Sequence, residues 1–163
     1  MKKLVMVTGA PGVGKTAVCR ELFSRIEGCA WLDSDWCWMI NPWSPKTTEQ
    51  KRYVEGTFER ILKGYLENDA IHVVLFSWVM TSQHMFDLIT DRLTEFSLEV
   101  FRVALVCDAE QHKRRMMLDA RPAHHLDSAG HMASYYDLHA EVLDVSSITP
   151  REAALKIREL IGE

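Results

Sequence analysis

Leu4-Val5-Met6-Val7-Thr8-Gly9-Ala10-Pro11-Gly12-Val13-Gly14-Lys15-Thr16 is the stretch that decides the fold. Its first four residues form a continuous apolar run, the pattern of a strand buried on both faces of a parallel sheet. Thr8-Gly9 closes the run, and Gly9 to Thr16 follow the pattern G-x-x-x-x-G-K-[ST]. The glycines let successive backbone N–H groups turn inward around a phosphate. The helix that starts near Lys15 adds its positive N-terminal end. Lys15 can reach the outer phosphates of a nucleotide, and the Thr16 hydroxyl suits Mg²⁺. Gly9, Ala10, Pro11, Gly12, Val13, Gly14, Lys15 and Thr16 are therefore the expected phosphate cradle.

Outward from this loop, strands alternate with helices. Thr16–Ile26 carries Val18, Leu22, Phe23 and Ile26 at helical spacing, and Glu27-Gly28 marks its end. Ala30–Leu32 reads as a second strand, and Trp36–Lys46 as irregular chain. Thr47 with Gln50 forms a capping box for a helix that ends near Asn68-Asp69. Ile71–Phe76 is a third strand containing His72. Thr81 or Ser82 caps a helix reaching Leu93, and Val100–Cys107 is a fourth strand. Asp108 and Gln111 form a second capping box, opening a basic helix to about Ala120. Arg121–Asp127 reads as a polar connection, Ser128–Leu138 as a helix and Ala140–Val145 as a fifth strand. Thr149-Pro150-Arg151-Glu152 opens the last helix with a cap, a proline at its first position and a glutamate at its third. This alternation implies an α/β fold with one parallel sheet.

The 163 residues suit a single domain, 1–163, and are few for two. Lys and Arg number 19 against 23 Asp and Glu, giving a net charge of −4. That balance argues against binding nucleic acid or an anionic membrane through bulk charge. The four cysteines lie far apart, without a C-x-x-C pair, as expected for free thiols in a reducing cytoplasm. No run approaches the roughly 18 apolar residues of a membrane span. The seven histidines include His124-His125, but no partner stands at zinc spacing, so no zinc site is expected.

Asp33-Ser34-Asp35 follows the second strand, and in an open parallel sheet ligands bind beyond the carboxyl ends of the strands. One of these carboxylates beside Mg²⁺ and the other beside an acceptor hydroxyl would divide the work of phosphoryl transfer. Trp31, Trp36, Trp38 and Trp43 crowd into thirteen residues. Trp36 and Trp38 read either as walls of an acceptor pocket for a neutral or ring-bearing molecule or as a cover on the core. Trp31 reads as core.

On the phosphate loop at 9–16, the Asp33-Ser34-Asp35 run and the basic helix with a short lid near 113–127, the chain resembles small P-loop kinases of the nucleoside-monophosphate and shikimate kinase superfamily. In detail it is most similar to gluconate-kinase-like and chloramphenicol-phosphotransferase-like members. The resemblance implies a P-loop NTPase three-layer sandwich. Its five parallel strands would run in the order 2-3-1-4-5, with helices on both faces and a short lid at about 121–127. It implies Asp35 as acceptor-side base and Asp33 nearer the metal. By position, Arg115 matches the lid arginine that packs on adenine, and Arg121 the one that closes over the phosphates. ATP and Mg²⁺ are the implied cofactors, and a small-molecule acceptor the implied partner. Neither nucleic acid nor a membrane is expected, and the chain would work as a monomer or homodimer.

The departures narrow the acceptor. Ser77-Trp78-Val79-Met80 stands where a shikimate kinase has a glycine triplet, and residues 122–139 contain no Lys or Arg. The Asp-Gly-Phe-Pro-Arg run of adenylate kinases and the Asn-Lys-x-Asp guanine motif are both absent. Arg52 and Arg60 are the only arginines of the acceptor segment, too few to hold a second phosphorylated nucleotide. The expected activity is transfer of the γ-phosphate of Mg-ATP to a small-molecule hydroxyl. The alternatives are an ATP-binding regulatory module with slow hydrolysis and a nucleotide or polynucleotide kinase.

Overall fold

Five parallel strands in the order β2-β3-β1-β4-β5 form the sheet of the computed structural model, which describes residues 1–41, 47–118 and 132–163. The strands are β1 (Lys2–Gly9), β2 (Cys29–Asp33), β3 (Val73–Ser77), β4 (Leu98–Val106) and β5 (Glu141–Asp144). The helices are α1 (Lys15–Phe23), α2 (Ser34–Cys37), α3 (Thr48–Glu67), α4 (Gln83–Thr90), α5 (Ala109–Leu118) and α6 (Pro150–Leu160).

Central β1 is apolar on both faces because both are covered. Leu4 and Met6 pack with Phe58 and Leu62 of α3 and Phe86 of α4, while Val5 and Val7 pack with Val18 and Leu22 of α1 and Ile157 of α6. This two-residue alternation of side chains separates the two cores and makes three layers. Thr47 and Thr149 both form reciprocal capping boxes, with Gln50 and Glu152, and Pro150 opens α6. Pairing puts the ends of the strands in line: Val7 opposes Ser77, Ser77 opposes Asp33, and Gly9 opposes Leu105. The P-loop NTPase sandwich and its strand order are therefore as the resemblance implies.

Several boundaries differ from the sequence reading. α1 stops at Phe23, because Ser24 and Arg25 tighten its last turn by bonding Arg20 and Leu22, yet Ile26 still reaches the core. α4 stops at Thr90, and two further tight turns carry Leu93 inward. The segment after β2 is not irregular from the start. Asp33 accepts from the Asp35 N–H as an N-cap and opens α2. The expected helix at 128–138 is a 3₁₀ turn over 132–137, and residues 128–131 lie outside the described residues. His72 lies just before β3 and is exposed, 3.8 Å from Glu163.

The second capping box is only half formed. The Gln111 N–H donates to Asp108 Oδ1 at 2.7 Å, but the Asp108 N–H donates to Ser146 Oγ. The cap thereby ties α5 to the connection between β5 and α6. Another tie crosses the sheet: the buried Thr8 hydroxyl donates to the Met80 carbonyl and accepts from the Met80 N–H, at 2.9 and 2.8 Å.

Candidate functional site

Gly9, Gly12 and Gly14 all have positive φ, at 146°, 80° and 109°, so the loop turns through conformations that side-chain-bearing residues resist. A Cβ on Gly9 would stand 2.6 Å from the Leu105 carbonyl, so the loop also needs glycine for close approach to β4. Lys15 folds back across the loop, and its Nζ donates to the carbonyls of Gly9 at 2.8 Å and Ala10 at 3.1 Å.

A hydrogen bond joins the loop to the carboxylates. The Thr16 hydroxyl donates to Asp33 Oδ2 at 2.8 Å, and the Asp35 N–H donates to Asp33 Oδ1 at 3.2 Å. Asp33 is 5% exposed, whereas Asp35 is open and lines a cleft of about 840 Å³. The loop from Pro11 to Thr16, Arg20, Val79 and Arg115 also line that cleft, with Val145 and Ile148 of the β5–α6 connection and Pro150 at the start of α6. The oxygens of Thr16 and Asp33 are hard donors of the kind Mg²⁺ accepts. Two protein oxygens suit an ion that completes its shell with phosphates and water. Among the described residues, no group of three His, Cys, Asp or Glu forms a resident metal site.

Burial beneath the loop pushes the Cys19 thiol well up, with the Asp33 charge adding and Lys15 opposing, so it stays protonated. Burial likewise pushes Cys29 up to about 12. These thiols belong to the core.

Arg115 is half-buried and bonds two carbonyls, Val13 at 2.8 Å through Nη1 and Val145 at 2.6 Å through Nη2. Arg114 is exposed. The expected lid residue Arg121, together with His124, His125 and Trp43, lies outside the described residues.

Residues 5–130 match the family model described as an AAA domain. The chain belongs to that family. No curated protein matches it. Three solved structures show how widely this AAA domain's fold is shared. A tunicamycin resistance protein of Deinococcus radiodurans is 13% identical with a TM-score of 0.70, covering 99% of this chain and 96% of that one. Shikimate kinase of Acinetobacter baumannii, bound to shikimate, is 19% identical with a TM-score of 0.64, covering 99% and 93%. APS kinase of Mycobacterium tuberculosis, bound to AMPPNP and APS, is 17% identical with a TM-score of 0.68, covering 99% and 98%.

The tryptophans of the AAA domain divide. Trp31 is 9% exposed, and its Nε1–H donates to Ser77 Oγ at 3.1 Å. Trp38 packs edge-on to Phe58, which also meets Trp78 and Phe76, so it leans on the core. Trp36 is 51% exposed, and its ring lies 5.2 Å from that of Trp31. It continues an aromatic row from Phe23 through Trp31 to solvent, directly after Asp35.

Sequence reasoning missed His112. The basic helix reads as a solvated face, yet His112 and Met116 are buried on its inner side, with His112 Nε2 at 2.7 Å from the Pro11 carbonyl. The available signal was their four-residue spacing within a charged helix.

Proposed function

We propose that the chain is a phosphotransferase that moves the γ-phosphoryl group of ATP to a hydroxyl of a small molecule. The observation that carries this reading is the Thr16–Asp33 hydrogen bond, which fastens the phosphate loop to the residue that caps α2. Asp35, two residues on, then lies on the wall of the same cleft as Lys15 and Thr16. The small-molecule kinases of like fold support a small-molecule acceptor, and AMPPNP in one of them supports an adenine nucleotide as donor.

In this reading the N–H groups of residues 12–16 hold the β-phosphate, and the Lys15 ammonium leaves its carbonyl partners for the γ-phosphate. Thr16 and Asp33 would hold Mg²⁺, which neutralises phosphate charge when bound. Asp35 orients the acceptor hydroxyl and takes its proton as the oxygen bonds to the γ-phosphorus. The bond to the β–γ bridging oxygen breaks, and ADP leaves. Arg115 lies against the base and Arg121 closes over the phosphates, both roles following from the resemblance. Trp36 offers the acceptor an open aromatic face beside Asp35, and Trp38 supports it from the core side. The gluconate-kinase-like and chloramphenicol-phosphotransferase-like members are the relatives this reading favours.

The regulatory alternative lacks a physical anchor. The end of β3 carries Ser77, which accepts from Trp31, where a switch ATPase would need a carboxylate. The test is phosphate transfer from Mg-ATP into pooled small metabolites, read by mass spectrometry, for the native chain and Asp35→Asn. A new phosphorylated product is expected. Its rate should fall about 10²–10⁴-fold in the variant while ATP binding stays largely intact. No product across broad pools, or an unchanged rate in Asp35→Asn, overturns the reading.

A further inference from the structure

The inner face of α5 carries His112, Arg115 and Met116, spaced so that all three meet the phosphate loop. His112 is 1% exposed, and a carbonyl oxygen can only accept, so its Nε2 carries the proton and donates to Pro11. Arg115 donates to Val13, and Met116 fills the space where a Cβ on Gly12 would collide with its sulfur. With Lys15 donating to Gly9 and Ala10, the carbonyls of residues 9, 10, 11 and 13 all accept from side chains. A loop whose carbonyls are held in this way presents its N–H groups for an anion. Pro11 has no N–H and a fixed φ, so its carbonyl is its one hydrogen-bonding handle.

We propose that His112 is a positioning residue. Its Nε2–H sets the Pro11 carbonyl so that the N–H groups of the following residues are arranged in advance for the β-phosphate, and it keys α5 to the loop. This rests on the reading that the loop holds nucleotide phosphates. It adds that their affinity depends on an imidazole outside the motif. Gly12, without a Cβ, leaves the room in which α5 comes this close.

Calorimetric binding of ADP and AMP to His112→Phe and His112→Gln tests the role. Phenylalanine fills the ring's space without a donor, and glutamine restores an N–H near Nε2. In His112→Phe, ADP affinity should fall about tenfold, the loss of one preset hydrogen bond. AMP, which has no β-phosphate, should bind as before, and His112→Gln should recover most of the ADP affinity. Unchanged ADP binding in His112→Phe overturns the proposal, as does an equal loss for both nucleotides or a failure of glutamine to rescue. The imidazole ¹⁵N spectrum of the native chain decides the bond without any variant: an Nε2–H tautomer is expected, and an Nδ1–H tautomer overturns it. Binding is read without turnover. Native chain that binds ADP but phosphorylates nothing therefore sinks the kinase reading and leaves the role of His112 to these results.

Discussion

The chain before and after Asp35 is built by different means. On the phosphate side, one octapeptide supplies nearly every group, and neighbouring side chains fix its carbonyls. Beyond Asp35 the chain is set by distant pieces packed together: Trp38 at the end of α2 lies on Phe58 of α3, Phe58 also meets Trp78 after β3, and Trp36 lies on Trp31. Polar contacts set the first side and packing sets the second. In the proposed reaction the phosphate donor is held by a local device, whereas the segment after Asp35 depends on several elements at once.

Removing the Lys15 ammonium, which the proposed reaction directs to the γ-phosphate, tests the contrast most severely. Lys15→Ala should lower transfer at least about 10³-fold. The fold should persist, because the ammonium's carbonyl partners are part of a loop that other donors also hold. Retained turnover in a phosphate-transfer assay would show that the phosphate side does not depend on its motif. Phe58→Ala probes the opposite side. It should cost about 3–5 kcal/mol in chemical denaturation, since Phe58 is fully buried between the core and the tryptophans. Trp36→Ala should cost less than about 1 kcal/mol in the same experiment, because half of its surface is already open. Its effect should appear as a raised KM for the acceptor with the KM for ATP unchanged. A large stability loss at Trp36 would make it a part of the core and erase the distinction.

The smallest effect sharpens the comparison at the β5–α6 connection. The Ser146 hydroxyl and N–H, at 2.6 and 2.8 Å, hold the Asp144 carboxyl below its ordinary 3.8. A depressed carboxylate stabilises the folded chain above its unfolded pKa, and that contribution is lost as pH falls through the lower, folded value. Asp144→Asn should therefore lower Tm by about 1–2 °C near neutrality, a difference that shrinks in thermal melts below about pH 3. A difference that stays constant into acid would assign the effect to packing.

What was legible in the sequence follows the same division. Gly9 to Thr16 and the Thr47 and Thr149 caps were legible because each is a local device whose partners lie within a few residues. The strand order came from resemblance to kinases of the same layout. α2 was hidden because the tryptophans, prolines and asparagine of Trp36–Lys46 read as irregular chain, although Asp33 is a good N-cap residue and bonds the Asp35 N–H. His112 was hidden because its partner, Pro11, is 101 residues away and its neighbours Lys113 and Arg114 are exposed. Whether a tryptophan walls a pocket or covers a core depends on tertiary neighbours, which spacing does not encode. Trp38 packs on Phe58, while Trp36, two residues away, lies half-open on Trp31.

The doubly bonded Thr8 hydroxyl affects how substitutions along this chain should be interpreted. Valine has nearly threonine's shape, but at position 8 it would leave both polar groups of Met80 without their partner in the interior. Mutational scanning would therefore find position 8 about as intolerant as Lys15, though Thr8 is fully buried and is not part of the cleft wall. Intolerance to change at the edge of a nucleotide loop thus measures two different things, and the variant's folded yield, compared with its turnover, tells them apart.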